Sequence, residues 1–308
     1  MMNVTLKPLR DGKTEIHFDG RKVATTGKSG AELERIVESL YRKATGSAVK
    51  FSKLSAATAE NTSEKFDINQ RFGFVEKLVK MVASGVQPSA VITGEGGLGK
   101  TYTVIKTLEE AGMKDISDLA EFEVGTVLNM NKCYTTVKGY STAKGLFRTL
   151  FENKNGTIIF DDCDSVLRDP VALNLLKGAL DSYGRRVISW NADMRDDDLP
   201  RSFCFEGRVI FISNLEQDKI DQAIRSRSMM IDLSMTTDQK IDRMSFIAAS
   251  DEFLPEYDAE TKADAISLIR ELKDSAKEIS LRTLISVTKI RAANPSDYKD
   301  LATYMLTA

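Results

Sequence analysis

Gly94-Glu95-Gly96-Gly97-Leu98-Gly99-Lys100-Thr101 lies between a short apolar segment and a segment with helical hydrophobic spacing. It matches the pattern GxxxxGK[ST], in which glycines let backbone N–H groups wrap around phosphates at the positive end of a helix dipole. We expect Lys100 to reach the β- and γ-phosphates of a nucleotide, and Thr101 to ligate Mg²⁺. The sequence therefore predicts that residues 94–101 bind the phosphates of ATP together with magnesium.

Two adjacent acids follow a second apolar segment. Residues 157–160 read TIIF and lead into Asp161 and Asp162. We expect Asp161 to hold the magnesium shell, and Asp162 to orient and polarise an attacking water. Asp164 is expected only to solvate the loop. Two solvated acids at the start of a loop are the alternative interpretation, and the phosphate loop upstream favours the functional one.

Composition excludes several other classes of protein. The chain has 308 residues, 42% of them hydrophobic and 29% charged, with a net charge of −2. This balance is typical of a globular protein and gives no global sign of a nucleic-acid or membrane partner. Its three cysteines are dispersed, which favours a reducing, cytoplasmic location, and its single histidine, His17, excludes a histidine metal site or a Ser-His-Asp triad. A signal peptide and an apolar run long enough to span a membrane are both missing.

Hydrophobic patterning predicts four regions. They are a small ββα unit at 1–51, a linker at 52–66, an α/β core at 67–234 and an all-α lid at 235–308. Alternating strands and helices predict a three-layer α/β/α core with a parallel sheet. Core strands are expected at 90–93, 122–130, 157–161, 208–213 and 229–233, with an inserted hairpin at 186–190 and 202–206. Lid helices are expected at 237–249, 259–274, 279–292 and 296–306.

The phosphate loop and the acidic pair, at this spacing, resemble the AAA+ ATPases over residues 67–292. The resemblance implies that Asn214 is a sensor that helps to hold the attacking water. It also implies an arginine finger supplied by a neighbouring subunit, with Arg227 favoured and Arg225 as second candidate. Arg282 resembles the family's second sensor, in the lid.

The same resemblance implies a homo-oligomer, usually a hexameric ring. One departure is Asp162, where most members of the family have glutamate, so the acid is one methylene shorter. The stretch from IIFDDCDSVL to LLKGALD also looks like ATPases encoded by tailed bacteriophages.

Three functions remain open from the sequence. The first is a ring motor that remodels or translocates a protein or DNA. The second is a slow loader or regulatory switch in DNA replication or recombination, and the third is a small-molecule kinase, for which the lid and the tandem arginines have no evident use. In a motor, the segment 131–140 would face a central pore, with Tyr134 and Tyr140 gripping the substrate. Alternatively, Tyr140 packs against the helix that it precedes.

Overall fold

The computed structural model describes residues 4–8, 13–28, 30–45, 65–118, 127–181, 184–191 and 199–308. The chain divides into two compact units, Met1–Phe66 and Asp67–Ala308. Of the predicted linker at 52–66, only Lys65 and Phe66 lie within the described residues. None of the helices in these ranges combines the length and the apolar character needed to cross a bilayer.

The first unit is a three-stranded antiparallel sheet and one helix. Its elements are β1 (Val4–Pro8), β2 (Thr14–Phe18), β3 (Arg21–Thr26) and α1 (Gly30–Thr45), with sheet order β1-β2-β3. The predicted ββα pattern is one strand short, because β1 was not expected. Pro8 is unusual in a strand, because proline lacks the N–H that a strand interior needs. It is tolerated because β1 is an edge strand that ends at Pro8.

The second unit contains a six-stranded parallel sheet. Its strands are β4 (Ser89–Thr93), β5 (Lys114–Asp115), β6 (Cys133–Lys138), β7 (Thr157–Asp161), β10 (Arg208–Ile212) and β11 (Met229–Asp232), in the order β11-β4-β10-β7-β6-β5. All five neighbouring pairs are parallel. A separate antiparallel hairpin, β8 (Val187–Ser189) with β9 (Ser202–Cys204), confirms the predicted insertion, and its tip at 192–198 lies outside the described residues.

Helices cover both faces of this sheet. They are α2 (Ile68–Ala83), α3 (Lys100–Glu110), α4 (Ala143–Glu152), α5 (Pro170–Ala179) and the short α6 (Gln222–Arg225). Alternate residues of β4 explain the layering: Ala90 and Ile92 pack in a core with α2 and α3, whereas Val91 packs in a second core with α4 and α5. The three-layer α/β/α fold with a parallel sheet is therefore confirmed.

Four helices follow the last strand. They are α7 (Thr237–Ala248), α8 (Ala259–Glu271), α9 (Leu281–Ala293) and α10 (Tyr298–Thr307). Their positions confirm the predicted all-α lid. The apolar residues of the lid share one continuous core with α2 and α3; Met244 and Leu284, for example, are fully buried in it.

One predicted strand was wrong. Residues 122–126 of the expected strand 122–130 lie outside the described residues, 127–129 have no regular structure, and Met130 begins a 3₁₀ turn. The strand runs instead from Cys133 to Lys138. This strand occupies part of the segment 131–140, which we expected to face a pore. The prediction failed because the apolar run at 122–130 and the polar, β-branched run at 133–138 both have strand propensity.

Candidate functional site

The phosphate loop and the predicted site residues Asp161 and Asn214 converge at one edge of the parallel sheet. The loop 94–99 follows the carboxyl end of β4, Asp161 is the last residue of β7, and Asn214 follows β10 by two residues. Since β10 lies between β4 and β7 in a parallel sheet, the three strand ends meet at the same place. Open parallel sheets bind ligands at this edge.

The loop has a backbone that depends on glycine. Gly94 has φ 131° and Gly97 has φ 77°, both in the left-handed half of conformational space. A Cβ on Gly94 would come within 2.8 Å of the carbonyl carbon of Leu233, and a Cβ on Gly97 would come within 3.0 Å of Ser280 Cβ. The loop is therefore a cradle of bare backbone against the start of α3, which fits a phosphate group.

Lys100 fills this cradle with its ammonium group. Its side chain is 5% exposed, and Nζ donates hydrogen bonds to the carbonyl oxygens of Gly94 and Glu95 and to Asn214 Oδ1, the last at 2.9 Å. Burial lowers the pKa of Lys100, while the charges of Asp162 and Asp161 oppose that change. A phosphate entering the loop offers this buried cation a charged acceptor, which is a stronger partner than a carbonyl.

Thr101 and Asp161 form the second half of the predicted phosphate and metal site. Thr101 Oγ1 donates to Asp161 Oδ1 at 2.9 Å, and Asp161 is 6% exposed. A hydroxyl and a carboxylate are oxygen ligands that suit Mg²⁺, which binds through one or two carboxylates plus substrate phosphates. Within the described part of the chain, no cluster of three or more His, Cys, Asp or Glu residues could hold a metal alone. The donor set fits magnesium that arrives with a nucleotide.

Asp162 has an uncommon backbone. Its φ is 52°, a left-handed value that aspartate tolerates better than most residues, and its N–H donates to the carbonyl oxygen of Ile212 at 3.0 Å. Burial raises the pKa of this carboxyl, the charge of Asp161 raises it further, and Lys100 and Arg282 oppose the change. A carboxylate with a raised pKa is a better proton acceptor, as a residue that polarises water requires.

Asn214 joins the two halves of the site. Its Oδ1 accepts from Lys100 and its Nδ2 donates to Asp162 Oδ1 at 2.7 Å.

Asp164 was expected only to solvate the loop, and that interpretation was wrong. Its Oδ1 accepts a hydrogen bond from Ser213 Oγ at 2.6 Å, so it fixes the strand end from which Asn214 projects.

The lid contacts the phosphate loop directly. The backbone nitrogen of Leu281 donates to the carbonyl oxygen of Gly97 at 2.8 Å, and Lys240 of α7 pairs with Glu95. A cleft of about 350 Å³ lies between the lid and the loop. Its lining includes Glu95, Gly96, Thr237, Lys240, Lys273, Lys277 and Arg282. Arg282 is exposed on this cleft, and its charge acts on the pKa of Asp162.

The two candidate finger arginines lie at the opposite edge of the sheet. Ser89, the first residue of β4, donates from Oγ to the carbonyl oxygen of Arg227 at 3.0 Å. The phosphate loop begins five residues later, about 16 Å away along an extended strand. Arg227 is half-buried, with Nη1 bonded to the carbonyl oxygen of Ala223, whereas Arg225 is exposed. The fold does not bring these arginines to the phosphate loop of their own chain.

The predicted pore segment divides into a buried part and an exposed part. Tyr134 is fully buried in β6 and its hydroxyl donates to Glu109, so the expectation that Tyr134 grips a substrate was wrong. Burial raises the pKa of its hydroxyl. Tyr140, beyond the strand, is 80% exposed. Sequence reasoning placed Lys138 in the pore segment but missed its contact with Asp161, whose Oδ2 lies 3.6 Å from Lys138 Nζ. The signal was the place of Lys138 at the end of a strand that neighbours β7.

Comparisons with known proteins assign no function to this chain. No protein-family profile matches the chain. It is 28% identical over 258 residues to the uncharacterized 36.7 kDa protein in the nrdC-mobD intergenic region of Enterobacteria phage T4, covering 78% of this chain and 74% of that protein. Among solved structures, C. elegans PCH-2 aligns with a TM-score of 0.42 and 14% identity, over 78% of this chain and 67% of that one. The functional argument therefore depends on the geometry of the site.

Proposed function

We propose that this chain is a magnesium-dependent ATPase of the AAA+ type that works in an oligomeric ring. The observation that supports it best is the bridge from Lys100 through Asn214 to Asp162. This bridge links a buried cation in a phosphate-sized cradle to a carboxylate suited to polarise water. Both groups lie beside Thr101 and Asp161, which carry oxygen ligands for magnesium.

Each residue has a distinct task in this proposal. The backbone of residues 94–99 and the ammonium of Lys100 bind the β- and γ-phosphates, and Thr101 and Asp161 hold the magnesium shell. Bound Mg²⁺ supplies charge neutralisation at the phosphate oxygens. Asp162 and Asn214 hold and polarise the attacking water.

Arg282 and a neighbouring subunit complete the proposed site. Arg282 faces the cleft above the loop, where a guanidinium would stabilise charge on the terminal phosphate. Since Arg225 and Arg227 lie at the far edge of the sheet, a finger role requires that they serve another chain's nucleotide. The proposal therefore includes a homo-oligomer, with a hexameric ring as the family's usual form.

The proposed work is the remodelling or translocation of a protein or a nucleic acid. Tyr140 supports it, because an exposed aromatic side chain beyond β6 can grip an extended chain. The second candidate is a slow loader or regulatory switch, which the short acid at Asp162 favours. A cytoplasmic location and a phage origin belong to this proposal, the latter motivated by the relative from phage T4.

ATP hydrolysis and sedimentation test the proposal together. The purified chain should hydrolyse ATP only with Mg²⁺, and it should assemble when ATP is added. Thr101→Val, which removes the metal-ligating hydroxyl with little change in volume, should abolish turnover. If the chain stays monomeric with ATP and phosphorylates a small molecule, the small-molecule kinase is favoured. If the chain has no affinity for Mg·ATP, both the ATPase and the kinase hypotheses are wrong.

A further inference from the structure

The predicted magnesium ligand Asp161 has a second cationic neighbour besides the phosphate loop. Lys138, the last residue of β6, is directly opposite Asp161 in the parallel register of β6 and β7. Its Nζ lies 3.6 Å from Asp161 Oδ2, while Thr101 Oγ1 occupies Oδ1 of the same carboxylate. Both oxygens of this buried acid therefore have a partner.

The exposures of the two side chains differ sharply. The Lys138 side chain is 66% exposed and that of Asp161 is 9% exposed. The carboxylate is thus fixed in the protein, whereas the ammonium reaches it from solvent and can leave at low cost. Exposed ion pairs of this kind are weak, and a divalent cation that shares the same carboxylate repels the ammonium.

We propose that Lys138 is a positioning residue that holds the Asp161 carboxylate and competes with magnesium for it. This inference rests on the proposed ATPase function. Before nucleotide binds, the ammonium partly neutralises this buried acid at Oδ2. When Mg²⁺ binds with the phosphates, the ammonium of Lys138 moves away from Asp161. Lys138 therefore raises the magnesium concentration that the site requires.

The measurement is the magnesium dependence of nucleotide binding, which is independent of turnover. A fluorescent ATP analogue that resists hydrolysis is held at fixed concentration while Mg²⁺ is titrated. Lys138→Gln should lower the half-saturating magnesium concentration about two- to fivefold, the size expected for an exposed ion pair. Lys138→Arg keeps the charge and should stay within twofold of the unaltered chain.

A matched control lies just before the same strand. Lys132, also exposed, directly precedes β6 at the opposite edge of the sheet. Lys132→Gln removes the same charge and should leave the magnesium dependence unchanged. Circular dichroism and thermal unfolding of each variant check that the fold is kept, which the exposure of both side chains favours.

Three outcomes would overturn the inference. They are an unchanged magnesium requirement in Lys138→Gln, a higher one, or equal shifts in Lys138→Gln and Lys132→Gln. Weaker binding of the analogue without metal, at an unchanged magnesium requirement, would instead make Lys138 a phosphate contact. If the unaltered chain does not bind the analogue with Mg²⁺, the proposed function itself fails, and the two failures are thus distinguishable.

Discussion

The backbone nitrogen of Leu281 donates a hydrogen bond to the carbonyl oxygen of Gly97 at 2.8 Å. This contact joins the first residue of a lid helix to the middle of the phosphate loop. Because it uses main-chain atoms, it depends on how closely the two segments approach each other. The approach is close because Gly97 has no side chain where Ser280 packs.

Replacing Gly97 by alanine should displace the lid from the loop. Its φ of 77° imposes a left-handed cost of about 1–2 kcal/mol on any L-residue, and the new Cβ would meet Ser280 Cβ at 3.0 Å. We expect ATP affinity to fall by about tenfold or more, since a 1 Å shift of a binding group is costly. Gly112→Ala is the matched control, with the same φ of 77° and nothing within 4 Å of its Cβ. Calorimetry should show weaker binding only for Gly97→Ala, and equal losses would exclude the lid contact as the cause.

Lys100→Ala should lose nucleotide binding. The substitution removes the buried ammonium that would pair with the β- and γ-phosphates, and charge-assisted hydrogen bonds of this kind are the strong ones. We expect the dissociation constant for Mg·ATP to rise by about 100-fold, equivalent to about 2.7 kcal/mol. Lys106→Ala removes a lysine from the same helix, one that pairs with Glu252 at the surface, and should bind normally. Calorimetric binding by Lys100→Ala at full affinity would contradict the assignment of the loop.

Asp162→Asn should bind ATP but hydrolyse it poorly, because an amide cannot accept the proton from water. It should also stabilise the fold at neutral pH, since burial and Asp161 both raise the pKa of Asp162 and so penalise its charged form. That penalty is present above the folded-state pKa and disappears as the pH falls through it. Because Asp162 is exposed and solvent screens its charge, the difference in Tm should be small, about 1 °C at pH 7, and should vanish in acid. Thermal unfolding across pH checks the sign, and a variant less stable at pH 7 would refute it.

Loss of the arginine finger should be repairable by mixing. The double variant Arg225→Ala/Arg227→Ala should bind ATP yet lose about 1,000-fold or more of its turnover, the usual size of a finger's contribution. Adding Asp162→Asn subunits, which keep their arginines, should restore part of the activity. The single variants assign the role, with Arg225 the more exposed of the two. Absence of rescue at concentrations where the mixture assembles would argue against a shared site.

Arg71 should be important for stability. It is 5% exposed, and its Nη1 donates to the carbonyl oxygens of Ser234, at 2.8 Å, and Asp232, at 3.3 Å. These carbonyls lie at the connection between the sheet and the lid. Arg71→Ala leaves them without their donor, at an expected cost of about 2–4 kcal/mol. Urea unfolding measures this loss, Arg71→Lys should recover part of it, and an unchanged midpoint for Arg71→Ala would contradict the role.

Much of the site followed from the sequence, because local motifs carry it. Glycines and a lysine at fixed spacing marked the loop, and an apolar run before Asp161 marked a buried strand end. The sequence also showed that Asp162 stands where most AAA+ ATPases have glutamate, but it did not show why. The left-handed backbone there suits the short acid, and backbone dihedrals at a single non-glycine residue leave no pattern in a sequence.

The errors arose where long-range packing decides between local alternatives. Tyr134 is polar enough for a loop, yet it is buried because β6 pairs between β5 and β7. The contact between Lys138 and Asp161 was not predicted, because it crosses from β6 to β7 and such neighbours can be identified only once the sheet order is known. The buried contact of Arg71 with the chain 161 and 163 residues later was hidden for the same reason.

The continuous apolar core shared by the lid and helices α2 and α3 determines how this part of the chain can come apart. Because the lid and the layer formed by α2 and α3 have a common interior, we expect them to unfold together, with a single calorimetric peak for Asp67–Ala308. A fragment that stops before α7 would expose the apolar faces of α2 and α3 to water and should aggregate. Truncation is therefore a poor way to separate the work of the lid from that of the sheet.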